Sequence, residues 1–119
     1  MEPQQVAQAF TQHFYNIFDS DRRNLEQIYR PESVLSWEGK VYQGKDAIVK
    51  HLVNLPFKNI VRKIDMDFQP TLNGIMIFIV GTLAIDGEAK ALKYAQTFNL
   101  VLHQGQYLLL NDFFRLALE

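Results

Sequence analysis

Apolar residues recur with a helical period at the start of the chain. Val6, Phe10, Phe14, Ile17 and Phe18 fall at i, i+4, i+8, i+11 and i+12, the stripe of an amphipathic helix. The segment 19-DSDRR-23 ends it, and Ser20 or Asp21 supplies the cap of a second, shorter helix. That helix turns Leu25, Ile28 and Tyr29 inward and stops before Pro31, since a residue preceding proline avoids the helical region. An extended run from Val34 to Tyr42 follows. A third helix opens after Gly44 with Asp46 in its first turn, where a negative charge meets the positive end of the helix dipole. Ile48, Leu52 and Leu55 form its stripe, and Pro56 closes it.

After Pro56 the period becomes two. Ile60, Ile64, Met66 and Phe68 share a face that Arg62 interrupts, and Asn73-Gly74 predicts a tight turn. Ile75 to Ile85 is apolar on both faces, and Asp86-Gly87 makes the next turn. Leu92, Tyr94, Phe98, Leu100 and Leu102 then alternate with polar residues, Gln96 being the exception. After a turn at Gly105, Leu108, Leu110, Phe114, Leu116 and Leu118 take one face, broken by Asp112. Helices followed by hairpin-linked strands predict an α+β fold, an antiparallel sheet with helices against one face. Three short helices cover only one sheet face. Met76, Phe78 and Val80 on the other face therefore call for a partner, most simply a homodimer packed sheet to sheet.

Composition narrows the function. The 119 residues fit one domain, 1–119, with 48% hydrophobic and 21% charged residues, a globular balance. Twelve basic residues against thirteen acidic ones leave a net charge of -1, and no basic run covers a phosphate backbone, so nucleic acid is not an expected partner. The absence of cysteine removes disulfides, thiolate ligands and thiol nucleophiles. No basic segment followed by an apolar one opens the chain. The run 75-IMIFIVGTLAI-85 is shorter than the roughly 20 residues a membrane helix needs. The expectation is a soluble intracellular protein without membrane insertion.

Enzyme motifs are sparse. No glycine-rich phosphate loop or Gly-x-Ser-x-Gly elbow occurs, and His13, His51 and His103 lack metal-ligand spacing. Neither a metal nor a cofactor is expected. Asp65 and Asp67 share a strand face and read as solvated. Asp112 breaks an apolar face, so it is either salt-bridged, for instance to Arg115 or Arg22, or a general base with a raised pKa. Asp86 and Glu88 flank Gly87 at a hairpin tip, where turn carboxylates are ordinarily solvated. Glu38 directly follows Trp37, the only tryptophan. Strand alternation points the two apart unless a turn or sheet edge brings them to one rim.

The segments 13-HFYNIFDSDRRNLEQIYR-30, 34-VLSWEGKVYQGKDAIVKHLVNLPFKNI-60 and 111-NDFFRLAL-118 resemble the nuclear transport factor 2 family. The likeness runs from about Val6 to Leu118. It rests on the order of the Phe-Asp-x-Asp-Arg, Trp-Glu-Gly, Gln-Gly-x-x-Ala-Ile-Val, Leu-Pro-Phe and Asn-Asp-x-Phe-Arg-Leu elements. It implies a cone-shaped, cystatin-like fold and a homodimer. It also implies a non-enzymatic carrier that binds the small GTPase Ran in its GDP form and the Phe-x-Phe-Gly repeats of nucleoporins. Such a carrier takes Ran through the nuclear pore and occupies cytoplasm and nucleus. In the family, an aromatic residue of Ran enters an apolar cavity whose rim is acidic. Carried over, Glu38, Asp86 and Glu88 are the rim acids, Trp37 stands at the cavity mouth, and Leu55, Phe57 and Phe114 line it. Phe78 and Phe113 align near the repeat-binding groove, with dimer packing as the alternative. Two departures stand out. No aromatic residue occupies the position near Pro3 that helps hold the repeat in the family, and the hairpin tip reads Asp-Gly-Glu.

Two other functions compete. A small isomerase or dehydratase built on the same cone needs an inward general base, for which Asp112 is the candidate. A scaffold domain only dimerises or holds adaptors. An apolar cavity with acids at its rim and an empty floor favours the carrier, whereas a buried carboxylate paired with Tyr or Asp donors favours the enzyme.

Overall fold

The computed structural model describes residues 2–117; Leu118, assigned above to the last apolar face, lies outside them. Helix α1 (Pro3–Ser20) starts at a proline, and the Gln5 side chain accepts the Glu2 N–H at 3.0 Å. Its buried set is Val6, Ala7, Thr11, Phe14, Tyr15 and Phe18, while Phe10 and Ile17 are half-buried. The inward face is thus rotated from the purely apolar stripe toward Thr11 and Tyr15. The reason is that both hydroxyls find partners inside: Thr11 donates to the Met66 sulfur and Tyr15 to Gln96. Asp21 caps a short 3₁₀ helix (Arg22–Gln27) by accepting the Arg23 N–H at 3.1 Å. Leu25 is its buried residue, and Tyr29 belongs to the next strand.

Strand β1 (Tyr29–Trp37) turns back at Glu38-Gly39 into β2 (Lys40–Gln43), then helix α2 (Lys45–Val53) follows. Helix α2 ends at Val53, so Leu55 sits in the connection beyond it. The remaining strands are β3 (Ile60–Pro70), β4 (Gly74–Ile85), β5 (Leu92–His103) and β6 (Gln106–Leu116). They form one curved, unclosed sheet in the order β2-β1-β6-β5-β4-β3. It is antiparallel except where β1 runs parallel to β6. That exception follows from connectivity: α2 and four strands intervene between β1 and β6, so no hairpin dictates their direction.

Two details depart from simple alternation. Gly74 lies inside β4 instead of in a two-residue turn, and a Cβ there would come 1.8 Å from the Leu100 carbonyl oxygen. Its role is close backbone approach. In β6, Asn99 pairs with Asn111 but Leu100 pairs with Leu109, so Leu110 is an extra residue. The bulge reverses the phase: Leu109 is buried, and Leu108 and Leu110, expected inside, are half-buried.

Helix α1 packs across β3 and β4, and α2 covers β1 and β2. Between helices and concave sheet face lies an aromatic core. Phe14 and Phe98 are fully buried, with ring centroids 4.7 Å apart. The convex face stays open. Met76 (39% exposed), Phe78 (47%), Val80 (43%) and Phe113 (58%) lie on it. The register puts Phe78, Thr97 and Phe113 in one row across β4, β5 and β6.

Candidate functional site

The open end of the sheet and the α2–β3 connection enclose a cavity of about 150 Å³. Trp37, Glu38, Leu55, Phe57 and Phe114, far apart in sequence, all line it. Trp37 lies flat on Phe114, with centroids 4.0 Å apart and an interplanar angle of 12°. It also stacks toward Phe18 at 6.4 Å. The indole is thereby a fixed wall. His51 meets its edge at 5.5 Å and stacks on Tyr42 at 4.2 Å. Burial, and then the charge of Lys40, hold His51 below its ordinary pKa.

The turn decides the relation of Trp37 to Glu38. Glu38 and Gly39 both have positive φ, +50° and +87°, the geometry of a two-residue hairpin loop whose twist matches its strands. The strand ends at Trp37, and Glu38 swings back to the rim. There its N–H donates to the Phe114 carbonyl at 3.2 Å, and its carboxylate accepts the Leu116 N–H at 2.5 Å. Arg115 stands 4.0 Å from the same oxygen. Tryptophan and glutamate therefore share one opening.

Asp86 and Glu88 do not line the cavity, although Ile85 just before them does. Both are exposed. The Asp86 carboxylate faces backward, accepting the N–H groups of Lys58 (3.1 Å) and Asn59 (2.9 Å). Those bonds, Asn59's first, hold it below the usual carboxylate range. Phe78 and Phe113 lie on the opposite, convex face and take no part in this site.

Three polar wall residues were missed as site residues: Arg62, Tyr15 and Gln96. A signal was present for two of them, since Arg62 and Gln96, like Asp112, interrupt otherwise apolar strand faces. They belong to a buried hydrogen-bonded chain. Arg62 clasps Asp19 through Nη2 (2.6 Å) and Nε (3.0 Å), lies 4.0 Å over the Tyr15 ring, and donates from Nη1 to the Tyr94 hydroxyl at 3.1 Å. Tyr94 donates to Tyr15 at 3.0 Å, Tyr15 to Gln96 Oε1 at 2.7 Å, and Gln96 Nε2 to Asp112 Oδ1 at 2.8 Å. Tyr29 donates to Asp112 Oδ2 at 2.5 Å. From Arg62 Nη1 onward each donor points toward Asp112, whose carboxylate ends the chain. Burial pushes Asp112 up to about 6, against the opposing pull of the Tyr29 and Gln96 bonds, and raises the hydroxyls of Tyr15 and Tyr29.

The expected salt bridge of Asp112 with Arg115 or Arg22 does not form. Arg115 is exposed beside Glu38, and Arg22 lies over the Phe18 and Phe57 rings and donates to the Phe57 carbonyl. The tyrosine pairing that would favour an enzyme is present, but Asp112 sits behind Gln96 and is not a lining residue. Each of its oxygens already accepts a buried hydrogen bond, from Gln96 and from Tyr29. No group of three or more His, Asp or Glu suited to a metal occurs among the described residues.

The sequence profile of the nuclear transport factor 2 (NTF2) domain matches residues 6–116. The chain is 55% identical to nuclear transport factor 2 of Dictyostelium discoideum over 96% of this chain and 92% of that one. The structure of nuclear transport factor 2 from Cryptosporidium parvum superposes with a TM-score of 0.89 at 36% identity, covering 97% of this chain and 94% of that one. A Caulobacter vibrioides protein with a cystatin-like fold gives 0.80 at 15% identity, covering 98% and 91%, a likeness of fold alone. A rim that joins Trp37 to Glu38 over an apolar cavity, in a chain matched along nearly its whole length, leads to one assignment: the protein belongs to the nuclear transport factor 2 family.

Proposed function

We propose that this protein is a non-enzymatic carrier in nucleocytoplasmic transport, a homodimer that binds Ran-GDP in the cavity and Phe-x-Phe-Gly nucleoporins elsewhere on its surface. The observation that carries the reading is the cavity. Its volume of about 150 Å³ suits one aromatic ring, its walls are stacked aromatics, and a carboxylate stands at its mouth. An apolar side chain inserted there supplies affinity, and rim charge supplies steering and register. Trp37, Leu55, Phe57 and Phe114 are the proposed walls, Glu38 supplies negative charge at the mouth, and Asp86 and Glu88 add to it from the turn just beyond the lining residue Ile85. The exposed convex row of Phe78 and Phe113, with Met76 and Val80, supports sheet-to-sheet dimerisation and a repeat-binding groove beside it. A carrier of this kind works between cytoplasm and nucleus and visits the nuclear pore.

A pull-down tests this directly. The protein should retain Ran loaded with GDP and release Ran loaded with a GTP analogue; retention of neither form overturns the reading. Glu38→Lys should weaken Ran-GDP by at least about tenfold, because a partly desolvated attraction becomes repulsion. Its carboxylate also holds the Leu116 N–H, so the reversal disturbs the rim as well. Glu38→Gln, which keeps an acceptor for that N–H, separates the two effects.

A further inference from the structure

Trp37 is held from more than one side. Phe114 covers one face of the indole. The imidazole of His51, on α2, meets it at 5.5 Å and 70°, and lies flat on the Tyr42 ring at 4.2 Å and 17°. The β1–β2 register explains how one side chain reaches both. Trp37 pairs with Lys40 and Leu35 with Tyr42, so Trp37 and Tyr42 are diagonal neighbours on one sheet face. Helix α2 packs on these two strands, with Ile48 and Leu52 buried and His51 half-buried at the border of its apolar stripe. The imidazole is thus a wedge between the two rings, beside the hairpin that carries Glu38.

His51 Nε2 is shielded from solvent and has no hydrogen-bond partner among the described residues. A neutral imidazole can leave one nitrogen bare as an acceptor, whereas an imidazolium carries an N–H on both. A charged ring in this slot would bury a charged donor without an acceptor, which costs far more than an idle lone pair. Tyr42 and Lys40 are the titratable groups of β2 on that face. Among the charged groups of β1, β2 and the 3₁₀ helix that pack against α2, Lys40 is the one that acts on the imidazole, and it repels a cation. The slot therefore suits a flat, neutral ring.

We infer that His51 is a positioning residue, a neutral wedge between Tyr42 and Trp37 that keeps the indole seated on Phe114 and so sets one wall of the cavity before a partner arrives. The inference rests on the reading that the cavity takes an aromatic side chain of Ran-GDP. His51 is not itself a lining residue, so it acts through Trp37. A wall already fixed in the free protein need not be ordered on binding, and less affinity is lost to that ordering. Two consequences separate a wedge from a histidine that merely covers the helix. The role needs a ring and not a nitrogen, so phenylalanine can replace it and alanine cannot. Acid disables it, because a protonated ring must leave the slot.

The experiment follows Trp37, the only tryptophan, in wild type, His51→Ala and His51→Phe, together with Ran-GDP affinity at neutral pH. In His51→Ala the indole should become more open to acrylamide quenching, and affinity should fall about tenfold. His51→Phe should restore wild-type quenching and bind within about threefold of wild type. In wild type the Trp37 emission and the His51 ring-proton shifts should titrate together with a midpoint below 6.5, and the emission step should vanish in His51→Phe. An unchanged quenching constant in His51→Ala overturns the proposal, as does equal loss of affinity in the two variants. An emission step of undiminished size in His51→Phe belongs to Asp112 and overturns it too. If His51→Ala fails to fold, the His51→Phe emission and the wild-type titration decide. If wild type itself ignores Ran-GDP, the transport reading fails, and quenching and titration alone uphold or refute the wedge.

Discussion

Asp112→Asn probes the buried chain quantitatively. The Asp112 carboxyl is 3% exposed, and burial moves its pKa from 3.8 in the open chain to about 6. Between those values the folded protein holds a proton that the unfolded chain has released. The group therefore favours folding fully below pH 3.8, and that contribution is lost as pH rises through about 6. The full span is worth about 3 kcal/mol. Integrating the proton linkage between about pH 5 and pH 7 gives a loss of about 1 kcal/mol from this one residue. The amide that replaces the carboxyl in the variant cannot titrate. Its oxygen can keep the Gln96 N–H, while its nitrogen turns to Tyr29, whose hydroxyl must rotate. Urea unfolding of both proteins, at several pH values and one protomer concentration, isolates the effect because every other group cancels. The variant should gain about 1 kcal/mol relative to wild type from pH 5 to pH 7, with little change in m. Parallel stability curves would refute the claim that the fold buries a carboxylate that titrates near 6.

Arg62→Met keeps the aliphatic stem but abandons Asp19 and Tyr94; because Asp19 is only 24% exposed, chemical denaturation should show a loss of about 2–3 kcal/mol. Gly74→Ala drives a Cβ against the Leu100 carbonyl and should cost about 3 kcal/mol or more, read as a fall in thermal midpoint; an unchanged midpoint contradicts the close approach of β4 and β5. Phe113→Asp puts a charge on the convex row and should convert a dimer to monomer by sedimentation velocity at micromolar concentration. If the dimer survives while Phe-x-Phe-Gly peptide binding drops, the row serves the repeats instead. Trp37 fluorescence should change when Ran-GDP is added, and a constant spectrum at proven saturation removes the indole from the site.

The rotated face of α1 shows what alternation and period can and cannot say. Residues whose side chains have one physical preference were legible in the sequence: the apolar positions of α1, β3, β4 and β5, the caps, and the X-Gly turns at residues 86–87 and 104–105. These follow from local backbone sterics and from transfer of apolar surface out of water, and both act over a few residues; the break at Glu38-Gly39, inside what reads as one extended run from Val34 to Tyr42, emerges only in the folded chain. The family likeness added the walls Trp37, Leu55, Phe57 and Phe114, which the fold gathers around one cavity. Polar residues with two possible fates were not legible. Arg62, Gln96 and Asp112 each appeared as a flaw in an apolar face, and only long-range packing shows that the three flaws lie along one hydrogen-bonded chain, completed by Tyr15, Tyr29 and Tyr94. Buried polar groups are satisfied by partners distant in sequence, so their pairing is a property of the tertiary structure. Likewise a bulge at Leu110 resets the inward phase of β6, and a left-handed turn sends the Asp86 carboxylate to Lys58 and Asn59 instead of to solvent. Local pattern determined which segments become helices and strands. Three-dimensional closure decided which polar atoms face one another across them.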